Sequence, residues 1–232
     1  MKNLALIRIC RLGIAALVLT LTAGCAALLP KPAPQPSFYS LDNARPEARA
    51  TAVPSIPSSA PPTLIVSPPH SAAGFDSPRI IYAREAHKLD YFAHSEWIDT
   101  PARMLAPLII GAVENGGAFR AVVPTPSAVA GDIRLDTEIL RLQHNFGDQP
   151  SRVRFTLRAY LVDNATRSVL AWREFDESVA AASEDPYGGV VAANRAVQTV
   201  MQQLAVFCAE AAGKWQPAAA VPRTAEGNVP GR

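Results

Sequence analysis

The stretch RVRFTLRAYLVDNATRSVLAWREFDESV, Arg152–Val179, decides the fold. Val153, Phe155, Leu157, Ala159 and Leu161 alternate with Arg152, Arg154 and Arg158. That period of two places apolar side chains on one face of a strand and guanidiniums on the other. Asp163-Asn164-Ala165-Thr166 reads as a hairpin turn, and Val169–Val179 supplies the returning strand. A half-buried hairpin belongs in an antiparallel sheet with one covered face. Its polar face is a partner surface or a solvated one, and the solvated reading is the default for such sheets.

Working outward, Asp132–Gln143 alternates Ile133, Leu135, Thr137 and Ile139 against charged neighbours. Its apolar phase shifts at Leu140 and Leu142, which implies a bulge. On the other side, Asp185 is an N-cap and Pro186 a first helical residue. Val190, Ala193, Val197, Val200, Met201, Leu204 and Cys208 then follow at helical spacing, an apolar stripe that should lie across the sheet. Further upstream, Thr63–Ser67 and Arg79–Arg84 read as strands, His87–Phe92 as a hairpin partner, and Phe119–Val123 as another strand. Between them Thr100-Pro101 opens a helix that Gly116-Gly117 stops. Pro107 interrupts it and predicts a kink or a later start. The fold class is therefore α/β of the α+β type: a single domain over 63–215, with a largely antiparallel sheet and two main helices packed on it.

Ahead of the domain, Lys2, Arg8 and Arg11 flank the apolar run Leu12–Leu21, the layout of a secretory signal over residues 1–24. The run is too short for a bilayer-spanning anchor. It leads into Leu21-Thr22-Ala23-Gly24-Cys25, which resembles the lipobox of bacterial lipoproteins. The resemblance implies a diacylglyceryl group and an N-acyl chain on Cys25 as the only added groups. An ordinary signal peptide ending at an incidental cysteine is the other reading. Residues 25–62 carry prolines at 30, 32, 34, 36, 46, 54, 57, 61 and 62 and read as a flexible tether. Residues 216–232 read as a disordered tail.

Loss of residues 1–24 takes three of the 22 cations and none of the 20 acids, leaving a net charge of −1. Nucleic-acid binding, which needs a basic stripe, is therefore remote. Cys208 is the one cysteine left after Cys10 and Cys25 are accounted for, so no internal disulfide forms.

No nucleophile elbow, phosphate loop, dinucleotide fingerprint or zinc-protease motif occurs, so no catalytic residue, cofactor or metal is expected. His87, Asp90 and His94 lack ligand spacing, and Asp136 with Glu138 reads as a solvated strand face. Tyr82, Tyr91, Phe92 and Trp97 form an aromatic set with two readings, a partner interface or a packed core around the first helix.

The order of Phe38-Tyr39-Ser40-Leu41, Leu64–Ser67, Ile80-Ile81-Tyr82, Tyr91, Trp97 and Pro101 is continued by Asp132-Ile133-Arg134-Leu135, the Arg152–Phe175 hairpin and the long final helix. Over about 64–210 this resembles the ABC-type transport auxiliary lipoprotein family of the PqiC and YmbA type. The resemblance implies a compact α/β domain working with an MCE-domain protein, a permease and an ATPase in phospholipid movement between membranes. The partner-binding candidates are then Tyr82, Tyr91, Trp97, Arg152, Arg154 and Arg158. Ala26 in place of an aspartate after Cys25 favours the periplasmic face of the outer membrane over the inner one. Self-association into rings or dimers stays open. So does a different class of function, a lipoprotein that carries a lipid or cell-wall fragment in a pocket of its own.

Overall fold

The computed structural model describes residues 35–42 and 61–217. In chain order the strands are β1 (Ser37–Tyr39), β2 (Thr63–Val66), β3 (His70–Ser71), β4 (Arg79–Glu85), β5 (Lys88–Trp97), β6 (Ala121–Pro124), β7 (Ile133–Asn145), β8 (Arg152–Asp163) and β9 (Val169–Ala180). Two helices are interposed: α1 (Pro101–Asn115) after β5, and α2 (Pro186–Lys214) after β9.

One edge of β7 receives β2, β3 and β4 in succession, all parallel, and its other edge pairs antiparallel with β8. β9 continues the meander beyond β8, while β6 lies outside β2 and β5 then β1 lie outside β4. A strand of 13 residues can serve three short partners because its phase slips partway. Ile133, Leu135, Thr137 and Ile139 are buried, the register against β8 shifts between Ile139 and Arg141, and Leu142 and His144 resume burial. This is the bulge that the apolar phase implied.

Both helices pack with the apolar face of this sheet. Val153, Phe155, Leu157, Ala159 and Leu161 of β8 lie in one core with Val197, Val200, Met201 and Leu204 of α2 and Leu105, Ile109 and Val113 of α1. The Asp185 carboxylate accepts from Gly188 N–H at 2.7 Å, starting α2 as an N-cap should. The fold is thus a single α+β domain with a mixed, mostly antiparallel sheet, as the alternation of β8 implied. No helix among the described residues is long and apolar enough to cross a membrane.

Two local expectations are corrected. The sheet begins at Ser37, inside the stretch read as tether: β1 pairs in parallel with β5 and Leu41 is buried. Three residues are too few to show a period, so sequence pattern missed the strand. Second, α1 runs from Pro101 to Asn115 with Pro107 inside it. Pro107 sits on the exposed side, where water can take the Arg103 carbonyl that lacks its N–H partner. The signal segment with Cys25, most of the proline-rich stretch and the tail from 218 onward lie outside the described residues.

Candidate functional site

On the face of the sheet away from the helices, β8 displays Arg152, Arg154 and Arg158, as its alternation requires. Each guanidinium meets a partner on β9. Arg154 Nε donates to both oxygens of Asp176, at 2.8 and 3.1 Å, and Thr156 Oγ1 donates to the same carboxylate at 2.7 Å. Arg158 Nη2 donates to Glu174 Oε2 at 3.0 Å, and Arg152 Nη2 to the Ser178 carbonyl at 2.7 Å. The Arg154 bond holds the Asp176 carboxyl below the usual range, and the same bond raises Arg154. Asp176 and Glu174 thus neutralise Arg154 and Arg158, while Arg152 is held by the neutral Ser178, and exposed pairs of this sort add little to stability.

The aromatic set divides. Trp97 is 3% exposed in the core, so it offers a partner nothing to touch and leaves the partner-binding group. Tyr82 packs on Phe92 with ring centroids 4.6 Å apart, and Phe146 meets both edge-on. Tyr91 is half exposed, with the Arg79 guanidinium 4.0 Å over its ring. The structure therefore gathers Tyr82 into a small aromatic cluster, leaves Tyr91 at the surface and withdraws Trp97. His87, Asp90 and His94 form no metal-holding group among the described residues.

Sequence reading passed over His144. It is 2% exposed, its Nε2 lies 2.8 Å from Ser151 Oγ, and the Ser151 N–H donates to Glu184 Oε1 at 2.9 Å. Burial lowers the His144 pKa, outweighing the opposite pull of Glu184 and Asp185. A Ser–His–carboxylate set suggests a nucleophile. Here Ser151 is fully buried, however, and Gly189 packs directly on the imidazole. The cluster fastens the start of α2 to the β7–β8 connection.

The exposed chemistry lies at the opposite end of α2. Trp172 is 61% exposed and stacks on Tyr160 at 6.4 Å, with exposed Val169 and Leu170 on the same strand. A cleft of about 360 Å³ opens beside them, lined by Leu170, Trp172, Phe207, Ala211 and Trp215. Among the described residues β9 pairs with β8 alone, which leaves its outer edge without a partner strand there. The Ala181 N–H donates to the Ser151 carbonyl at 2.8 Å. By alternation, even residues from Trp172 to Ala180 then turn their N–H and C=O groups outward. The charges at Arg173, Glu174, Asp176 and Glu177 guard this edge against indiscriminate pairing. The corner was legible in principle, since Tyr160 and Trp172 fall in outward phase, but the arginines of the same face drew the reading. A second feature is a half-open apolar trough of about 700 Å³ between α1 and α2, lined by Leu108, Ile110, Met201 and Ala205.

Among solved structures, protein XCC0632 from Xanthomonas campestris, of the DUF330 family, is 23% identical and superposes with a TM-score of 0.64, covering 75% of this chain and 95% of that one. The crystal structure of an uncharacterised protein aligns at 10% identity and a TM-score of 0.58, covering 75% of this chain and 99% of the other. At these identities the likeness shows the fold. No curated protein matches the chain. The family model for the ABC-type transport auxiliary lipoprotein component matches residues 39–205, from the end of β1 into the last third of α2, and the chain belongs to that family.

Proposed function

We propose that this chain is a non-enzymatic docking component of an ABC/MCE-type system that moves phospholipid between membranes. It is held on the periplasmic face of the outer membrane by acyl chains on Cys25. The observation that carries the docking reading is the exposed Trp172–Tyr160 corner beside the open edge of β9. Aromatic residues left half in water next to an unpaired edge are how a domain receives an extended segment from a partner. The partner is the MCE-domain protein and, through it, the permease and ATPase. The Arg152–Arg154–Arg158 ladder runs along the contact and sets its register rather than its strength, whereas Tyr91, on β5, is separated from β9 by β4, β7 and β8 and takes no part in it.

The trough between α1 and α2 favours a second reading, in which the domain itself carries a lipid chain, because its volume falls in the range of small-molecule sites. Affinity capture of the lipidated protein from membranes separates the two, with proteins and co-purifying lipids analysed from one sample. An MCE-domain protein recovered without stoichiometric lipid supports docking. Lipid at about one per chain with no protein partner places carriage first.

A further inference from the structure

We propose that the end of the domain formed by β1 and the first turn of α2 rests on the bilayer, with Phe38, Ile98 and Tyr187 seated at headgroup depth. This rests on the reading of Cys25 as the lipid anchor and adds an orientation to it.

Three large side chains stand exposed at this end: Phe38 at 57%, Ile98 at 62% and Tyr187 at 62%. Tyr39 links them, its ring centroid 6.4 Å from that of Tyr187 and its carbonyl accepting from the Ile98 N–H at 2.7 Å. Phe38 and Tyr187 line one shallow cleft with Val191 and Arg195. The platform is fastened in place. Asn194 Nδ2 donates to the Ser40 carbonyl at 3.1 Å, and Asn194 Oδ1 accepts from the Asp42 N–H at 2.8 Å, joining β1 to α2. Grouped exposed apolar side chains on an ordered platform mark a contact surface.

Chain length says what covers it. β1 starts at Ser37, twelve residues after Cys25, and twelve residues span at most about 40 Å however extended. α2 runs away from this end for 29 residues, roughly 40 Å at the helical rise, to the Trp172 corner. An anchor at Cys25 therefore keeps the β1 end within that reach of the lipid, and with this end seated on the bilayer the Trp172 end stands free for protein. The chemistry agrees, since a tyrosine ring suits the headgroup layer and Phe38 and Ile98 suit the acyl boundary below it. Charges at the rim come in both signs, namely Asp42, Arg195 and the Asp99–Arg103 pair at 3.2 Å. The attraction is thus apolar and needs no cationic patch.

Cysteine chemistry supplies the test. Cys208 is buried and its thiol is pushed up to about 12 by desolvation, so it does not take a maleimide label. In the lipidated full chain, Tyr187→Cys or Leu170→Cys gives one labelled site for the fluorophore NBD. The proteins are reconstituted in vesicles of phosphatidylethanolamine and phosphatidylglycerol with brominated acyl chains. Flotation reports the anchor and NBD emission reports the face. A blue shift with quenching at 187 and none at 170 is expected, and Phe38→Ser with Ile98→Ser should reduce it while the circular dichroism stays unchanged. If flotation fails, the anchor reading falls, and the same labels are read on the mature chain from residue 26, held to nickel-chelating vesicles by an N-terminal histidine tag. Unshifted, unquenched emission at 187 on vesicle-bound protein overturns the proposal and assigns the surface to a protein contact.

Discussion

The Trp215 indole N–H donates to Asp163 Oδ2 at 2.8 Å, joining the residue that caps α2 to the turn between β8 and β9 across 52 positions of sequence. The same carboxylate accepts from the Thr166 N–H at 2.7 Å. One side chain thus shapes the hairpin turn and fixes the end of the helix beside the exposed Trp172 corner. Trp215→Phe keeps the ring and deletes the donor. It should lower the unfolding free energy by about 1–2 kcal/mol, read by urea denaturation. A loss below a few tenths would mean that water replaces the bond without cost.

Asp163 also gives the protein an acid limb. The Thr166 N–H, then the Trp215 indole, hold its carboxyl below the ordinary 3.8. A group depressed in the folded state stabilises above its unfolded value, and that contribution is lost as pH falls through the folded one. Melting temperature should drop below about pH 4, and Asp163→Asn should flatten the drop. An identical acid limb in the variant would assign it to other carboxylates, such as Asp176.

His144 governs a different window. Burial places its folded pKa below 6.5, so the unfolded chain takes up the proton first. Its contribution is complete above about pH 6.5 and is lost progressively as pH falls toward the folded value. His144→Gln should remove the dependence of stability on pH that sets in below about 6.5 while keeping a partner for Ser151. Gly189 supplies the steric counterpart, since a Cβ there would stand 2.5 Å from His144 Nδ1. Gly189→Ala should cost about 1–3 kcal/mol, and much of the loss should be recovered when His144→Ala is combined with it. Additive losses would show that the alanine clashes elsewhere.

Pro107 is the inverse case, a residue that the helix tolerates rather than needs. It lies on the exposed side of α1 and leaves the Arg103 carbonyl without its N–H partner. Pro107→Ala should stabilise the domain by about 1–2 kcal/mol, checked by thermal melts. Destabilisation would mean that the ring packs usefully along the trough that it lines.

Much of this fold was legible because it is periodic. β8 alternates cleanly, the phase slip at Leu140 matches the bulge in β7, and the stripe from Val190 to Cys208 is the buried side of α2. What escaped is short or set by tertiary context. β1 has three residues and β3 two, and parallel pairing of such pieces to distant strands leaves no local pattern. Trp97 has the same local chemistry whether it is buried or exposed, and only the tertiary packing that places it in the core, with β1 paired beside β5, decides. His144 follows Leu142 in the shifted phase of β7, but its pairing with Ser151 joins two elements and leaves no local pattern. The candidate site divides in the same way. The arginines were placed correctly on the outer face, but their carboxylate partners come from a register that single-strand alternation does not give, and the Trp172 corner depends on where α2 ends.

The docking account comes down most directly to Trp172. We would measure recovery of the MCE-domain protein by the lipidated chain, comparing wild type with Trp172→Ala and using circular dichroism as the control for folding. Because Trp172 is 61% exposed, the substitution should change stability little while recovery falls at least about tenfold, the loss that follows from removing an aromatic anchor. Undiminished recovery by a folded Trp172→Ala would contradict the account and move the partner contact away from this corner.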